Sequence, residues 1–190
     1  MTKGRAEAFS DGVLAIIITI MVLELKVPEG SSFSNLTPLI PKVISYILSF
    51  IYVGIYWNNH HHLFQAIHKV NGKLLWANLF LLFCLSLIPF TTAWMGENHI
   101  SAHPVILYGI NLFACAIAFT ILEKVSIKYE GKESDIGKAV GNHLKEYLSL
   151  FFYVVGIFLA FVYPVAGICC YVIVAFIWLV PDTRIEKNLK

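Results

Sequence analysis

Phe9-Ser10-Asp11-Gly12-Val13-Leu14-Ala15-Ile16-Ile17-Ile18-Thr19-Ile20-Met21-Val22-Leu23-Glu24-Leu25-Lys26-Val27 is an apolar run bracketed by two acids, Asp11 near its start and Glu24 near its end. At helical spacing Ile16, Thr19, Ile20 and Leu23 share one face, at i, i+3, i+4 and i+7. An aliphatic stripe interrupted by one hydroxyl suits the lining of a narrow hydrophobic pore. Lys3 and Arg5 precede the run as basic residues precede a signal peptide, but no small-x-small cleavage site follows Leu23. Glu24 to Val27 is expected to continue the helix to a stop at Pro28.

Five further apolar stretches follow, near 38–57, 74–95, 104–123, 146–163 and 165–180. With the first, near 9–27, each approaches the roughly 20 residues that cross about 30 Å of hydrocarbon. The chain of 190 residues is 58% hydrophobic and 14% charged, with a mean hydropathy of +0.73, outside the range of soluble domains. The runs are continuously apolar rather than alternating, so helices are expected and a barrel is not. The fold class is an all-α membrane protein of six transmembrane helices, a single unit over residues 1–190. Pro89 is placed to kink the third span, and Asn58 to His68 to prolong the second helix beyond the membrane.

Six spans put both termini on one side, and that side holds twelve of the fourteen basic residues; only Lys26 and Lys42 lie opposite. The positive-inside rule makes the termini cytoplasmic and the chain a multi-pass protein of the cell membrane, surrounded by lipid. This topology accounts for the net charge of +2, which points to no nucleic-acid partner.

The chemistry-bearing residues are few. Asp11 reads either as an early-turn acid favoured by the helix dipole or as a buried acid paired across helices. The second reading is preferred: a structural polar network of Ser10 and Asp11 with Arg5, Trp57, His60 or His61 on the cytoplasmic side. Glu24 is a weaker candidate for a ring of acids at a pore mouth, with Lys26 close enough to dilute its field. His60-His61-His62 point about 100° apart on a helix, so no metal is expected there. Cys84, Cys115, Cys169 and Cys170 all fall inside spans and read as small packing residues. The chain has no G-x-S-x-G elbow, H-E-x-x-H pair, phosphate-cradling loop or T-V-G-Y-G filter. An enzyme is not expected.

Arg5-x-x-x-Phe9-Ser10-Asp11-Gly12-Val13, followed by Ala15-Ile16-x-x-Thr19, resembles the first-helix signature of the endolysosomal potassium channel family called transmembrane protein 175, and more closely its prokaryotic branch. Trp57-x-x-His60-His61-x-x-Phe64 also fits that family's pattern. The resemblance implies a potassium-preferring cation leak channel in which four copies surround a central pore lined by the first helix. By position, Ile16 matches the family's constricting ring, Ile20 and Leu23 its further hydrophobic layers, and Thr19 a polar ring linked to selectivity. Phe9, Ser10 and Asp11 match residues serving packing and polar contacts of the first helix. No cofactor is implied beyond permeant potassium ions, and the partner is the chain itself, as a homotetramer. A proton-permeable channel or proton-coupled transporter using Asp11 and the histidines is the alternative within the same class. A non-conducting structural membrane protein is the alternative outside it.

Overall fold

The computed structural model describes residues 2–131, 134, 137 and 144–179, and among these every regular element is helical. Helix α1 spans Lys3–Leu23. A 3-10 turn at Phe33–Leu39 leads into α2, Ile40–Ala66, which starts with a proline in its first turn. Helices α3 (Gly72–Ser86) and α4 (Ile88–Glu97) form one broken unit. They are followed by α5 (Ala102–Glu130), α6 (Leu144–Ala160) and α7 (Pro164–Leu179).

Among the described residues four helical units, Lys3–Leu23, Phe33–Ala66, Gly72–Glu97 and Ala102–Glu130, are long and apolar enough to cross a membrane. Helix α7 is apolar but has 16 residues, about 24 Å at 1.5 Å per residue. Residue 180 of the sixth expected span lies outside the described residues, as do Lys132, Lys138, Arg184, Lys187 and Lys190 from the count of basic residues.

Helix α1 departs from its expected bounds at both ends. It begins at Lys3, because Lys3, Arg5 and Glu7 sit in polar first turns that need no apolar surroundings. It ends at Leu23 rather than Val27: Glu24 is the cap, and the Leu25 and Lys26 amides close tight turns onto the Val22 and Glu24 carbonyls. Pro28 disfavours helical geometry in the residue before it, so the chain leaves the helix early.

The second helix does continue past Trp57 to Ala66. At α3 the Asn71 side chain accepts a hydrogen bond from the Leu74 amide at 2.9 Å and caps the helix start. The third span breaks at Leu87, two residues before Pro89, whose ring removes an amide donor and crowds the preceding turn. Asn111 of α5 reaches this gap. With its amide turned to satisfy both groups, it donates to the Cys84 carbonyl at 3.0 Å and accepts from the Ile88 amide at 3.2 Å.

Helices α6 and α7 form a hairpin that packs on α5, α3 also packs on α5, and α2 packs on α4. Small residues permit the closest approach. A Cβ on Gly167 would lie 2.8 Å from the Gly156 carbonyl oxygen and 2.9 Å from Ala160 Cβ. Membrane helices gain most of their association from such packing, because lipid supplies no hydrophobic drive between them. Tyr171, wholly buried, lies against Gly109 and Gly156 and donates to the Val105 carbonyl at 3.3 Å.

Helix α1 lies against α2, α3 and α4, and only one of its faces is covered. Ala6, Ser10, Leu14, Ile17 and Met21 are buried. Lys3 Nζ donates to the Gln65 carbonyl at 3.1 Å, so the start of α1 and the end of α2 lie at the same end of the bundle. Lys42 and Glu97 pair at 3.1 Å at the opposite end.

Candidate functional site: the free face of the first helix

The uncovered face of α1 carries Arg5, Ala8, Phe9, Gly12, Ala15, Ile16, Thr19, Ile20 and Leu23, all exposed. Ile16 is 58% exposed, Ile20 43% and Leu23 77%. The four residues singled out by their spacing therefore share one free face. Thr19 Oγ1 donates its proton to the Ile16 carbonyl at 2.9 Å. Its proton is thereby spent along the helix, and its lone pairs remain for an outside partner. Such an oxygen suits a cation and cannot donate to an anion.

The opposite face is fixed by polar contacts concentrated in its N-terminal half. Ser10 is wholly buried, donates to the Ala6 carbonyl at 2.9 Å and accepts from Asn78 Nδ2 at 2.9 Å. Asn78 Oδ1 then accepts from His60 Nε2 at 2.8 Å, which places the imidazole proton on Nε2. His60 is buried and stacks on Phe64, with ring centroids 4.3 Å apart. Asp11 accepts from the Trp57 indole at 3.0 Å. One turn earlier, Glu7 accepts from His61 Nδ1 at 3.1 Å, and Gln65 donates to the other His61 nitrogen at 2.8 Å. Two helices, α2 and α3, thus converge on two turns of α1. A buried polar group left without its partner costs about 1–3 kcal/mol, so the buried Ser10–Asn78–His60 chain favours one rotation of α1 about its own axis.

The membership of this network differs from the sequence expectation. Ser10, Asp11, Trp57, His60 and His61 are drawn together, but Asp11 meets Trp57 alone, and Ser10 meets Asn78 rather than a histidine or arginine. Arg5 and Phe9 are not part of it. Both lie on the exposed face, each one position and about 100° before a buried residue, Ala6 or Ser10. Glu7 and Asn78 were missed. Asn78 carries a readable signal, an amide within the otherwise apolar run Leu74 to Leu85, and a polar side chain at that depth calls for a partner.

Glu24 is exposed at the end of α1, beside the Lys42–Glu97 pair. His60, His61 and His62 are spread over different surroundings. Among the described residues no three His, Cys, Asp or Glu side chains are grouped to hold a metal.

The family model described as the endosomal/lysosomal potassium channel TMEM175 matches residues 5–89, from the first turns of α1 into the first turn of α4. A potassium channel of Chryseobacterium sp. (strain P1-3) is 63% identical over 190 residues, spanning all of this chain and 99% of that protein. The chain belongs to the TMEM175 family. Among solved structures, that of a lysosomal potassium-selective channel TMEM175 homolog from Chamaesiphon minutus superposes with a TM-score of 0.81. It is 28% identical, and the superposition covers 95% of this chain and 97% of that one. The endosomal/lysosomal proton channel TMEM175 of Gallus gallus is 29% identical over 136 residues, 67% of this chain and 26% of that longer protein. The TMEM175 match thus falls on the part of the chain that holds both the free face of α1 and the network behind it.

Proposed function

We propose that this chain is a potassium-preferring cation channel, not an enzyme, in which the first helices of four copies line a central pore. Ile16 forms the narrowest ring, Ile20 and Leu23 add hydrophobic layers toward the Glu24 end, and Thr19 supplies one oxygen per subunit. Hydrophobic rings hold the pathway closed to water until it widens, and a single hydroxyl per subunit gives modest rather than steep discrimination. The observation that carries this reading is the free face of α1. A helix tied on one side by Ser10, Asp11 and its apolar neighbours presents Ile16, Thr19, Ile20 and Leu23 outward, in a chain related along its whole length to a protein named a potassium channel.

The channel resides in the cell membrane with both termini in the cytoplasm, a reading supported by the twelve-to-two distribution of basic residues. The assembly is a homotetramer, a stoichiometry taken from the family resemblance. Chemical cross-linking in detergent and in lipid tests it, with a ladder ending at four copies expected.

Purified protein in potassium-loaded vesicles is expected to conduct potassium in preference to sodium. Vesicles that leak neither ion would overturn the proposal in favour of a structural role. The vertebrate relatives carry the name proton channel, so a pH-sensitive dye in the same vesicles measures the second reading. Proton flux exceeding potassium flux would make protons the principal cargo.

A further inference from the structure

The free face of α1 repeats every seven residues. Phe9, Ile16 and Leu23 stand one heptad apart, as do Arg5, Gly12 and Thr19, and all six are exposed in the subunit. A helix of 3.6 residues per turn drifts by about 20° per heptad from such a repeat, and a left-handed crossing of neighbouring helices cancels the drift. Around a shared axis, a residue seven positions before Ile16 faces the way Ile16 faces.

Phe9 is 51% exposed although it sits at the polar end of the subunit. Its orientation is forced by its successors. Ser10 is held inward by Asn78, and Asp11 is held by Trp57. At 100° per residue, Phe9 cannot turn into the subunit without breaking both contacts. Gly12 adds a separate observation. A Cβ there would meet nothing within 4 Å, so no contact inside the subunit requires a glycine. Glycine nonetheless destabilises a helix interior relative to alanine, so the missing side chain leaves its space on the outer face.

We infer that Phe9 of each copy forms an additional hydrophobic layer of the pore, about 10 Å from Ile16 toward the N-terminal end, with Gly12 leaving a wider chamber between the two layers. The inference rests on α1 lining the pore, and the experiment separates the two claims. Of the four free cysteines only Cys169 is exposed, so Phe9→Cys and Gly12→Cys are made in a Cys169→Ala background and reconstituted in vesicles. A water-soluble cationic thiosulfonate is expected to cause loss of potassium flux in both. Phe9→Ala is expected to raise flux and Phe9→Trp to lower it.

Flux unchanged by the reagent in Phe9→Cys, whether or not the thiol is labelled, overturns the inference. If Ile16→Asn raises flux in those same vesicles, α1 still lines the pore and only the Phe9 layer is lost. If Ile16→Asn changes nothing either, both claims fall. Should Phe9→Cys not fold, Phe9→Trp decides by the same criterion, because an enlarged ring on the axis must narrow the path and one facing lipid must not.

Discussion

The two faces of α1 are almost equally apolar and differ in what specifies them. The buried face carries Leu14, Ile17 and Met21, and the free face Ile16, Ile20 and Leu23. Hydropathy alone cannot say which turns inward. The distinction is made by Ser10 and Asp11, whose partners Asn78 and Trp57 lie on α3 and α2. Two polar residues near one end therefore help to choose the orientation of a helix whose remaining length is apolar on both faces. The conducting role proposed for the free face depends on that choice.

Substitutions on the two faces should have opposite signatures, and the largest effect lies on the buried side. Leu14→Asn places an amide where the side chain is 2% exposed, with no partner and a lost apolar contact. Losses of about 2–5 kcal/mol accompany such core changes, so the expected outcome is no folded assembly by size exclusion. Ile16→Asn, two residues later on the free face, should instead leave the elution profile unchanged and raise cation flux in vesicles. Equal loss of folded protein from both would show that the faces are not distinct.

Ser10→Ala comes next. It removes the acceptor for Asn78 Nδ2 while leaving the helix intact, and should cost about 1 kcal/mol, read as a lowered melting temperature in detergent. Asn78→Leu should cost at least as much, because it strands both Ser10 and His60. Thr19→Val keeps the shape and removes the oxygen. Potassium-over-sodium preference should fall while melting stays the same, and undiminished preference would assign Thr19 to packing. The smallest effect is expected at Arg5: it is exposed and makes none of the network contacts, so Arg5→Gln should change stability by no more than about 0.5 kcal/mol, read as a nearly unchanged melting temperature.

Much of the fold is legible in the sequence because membrane depth imposes length and composition directly. The continuation of α2 to Ala66 and the break near Pro89 follow from local rules on polarity and proline. The end of α1 at Leu23 does not, since Glu24, Leu25 and Lys26 are compatible with a helix and only the turn chemistry before Pro28 stops it. Within the site, spacing placed Ile16, Thr19, Ile20 and Leu23 on a common face. The partners of that face's back side depend on which helices lie next to one another, and a single sequence does not carry helix adjacency. Arg5 joins the expected network as a base on the same membrane side and Phe9 through the family signature, whereas a step of about 100° from Ala6 and Ser10 carries both off the buried stripe. Asn78 was legible as an expensive residue, but its link to Ser10 becomes visible only in three dimensions.

The break between α3 and α4, bridged by Asn111, has a mechanical consequence. Helix α4 is ten residues long, about 15 Å at 1.5 Å per residue, its break bridged by Asn111 of α5 and its length tied to α2 through the Ser49–Thr92 hydrogen bond at 2.6 Å. A change of about 10° at the break displaces its far tip by about 3 Å at that arm length, comparable to the whole distance across which Glu97 and Lys42 pair. The tip lies beside Glu24, at the end of α1 opposite its fixed turns. Asn111 and the Glu24 end of α1 are therefore joined through a single short helix, one at each of its ends.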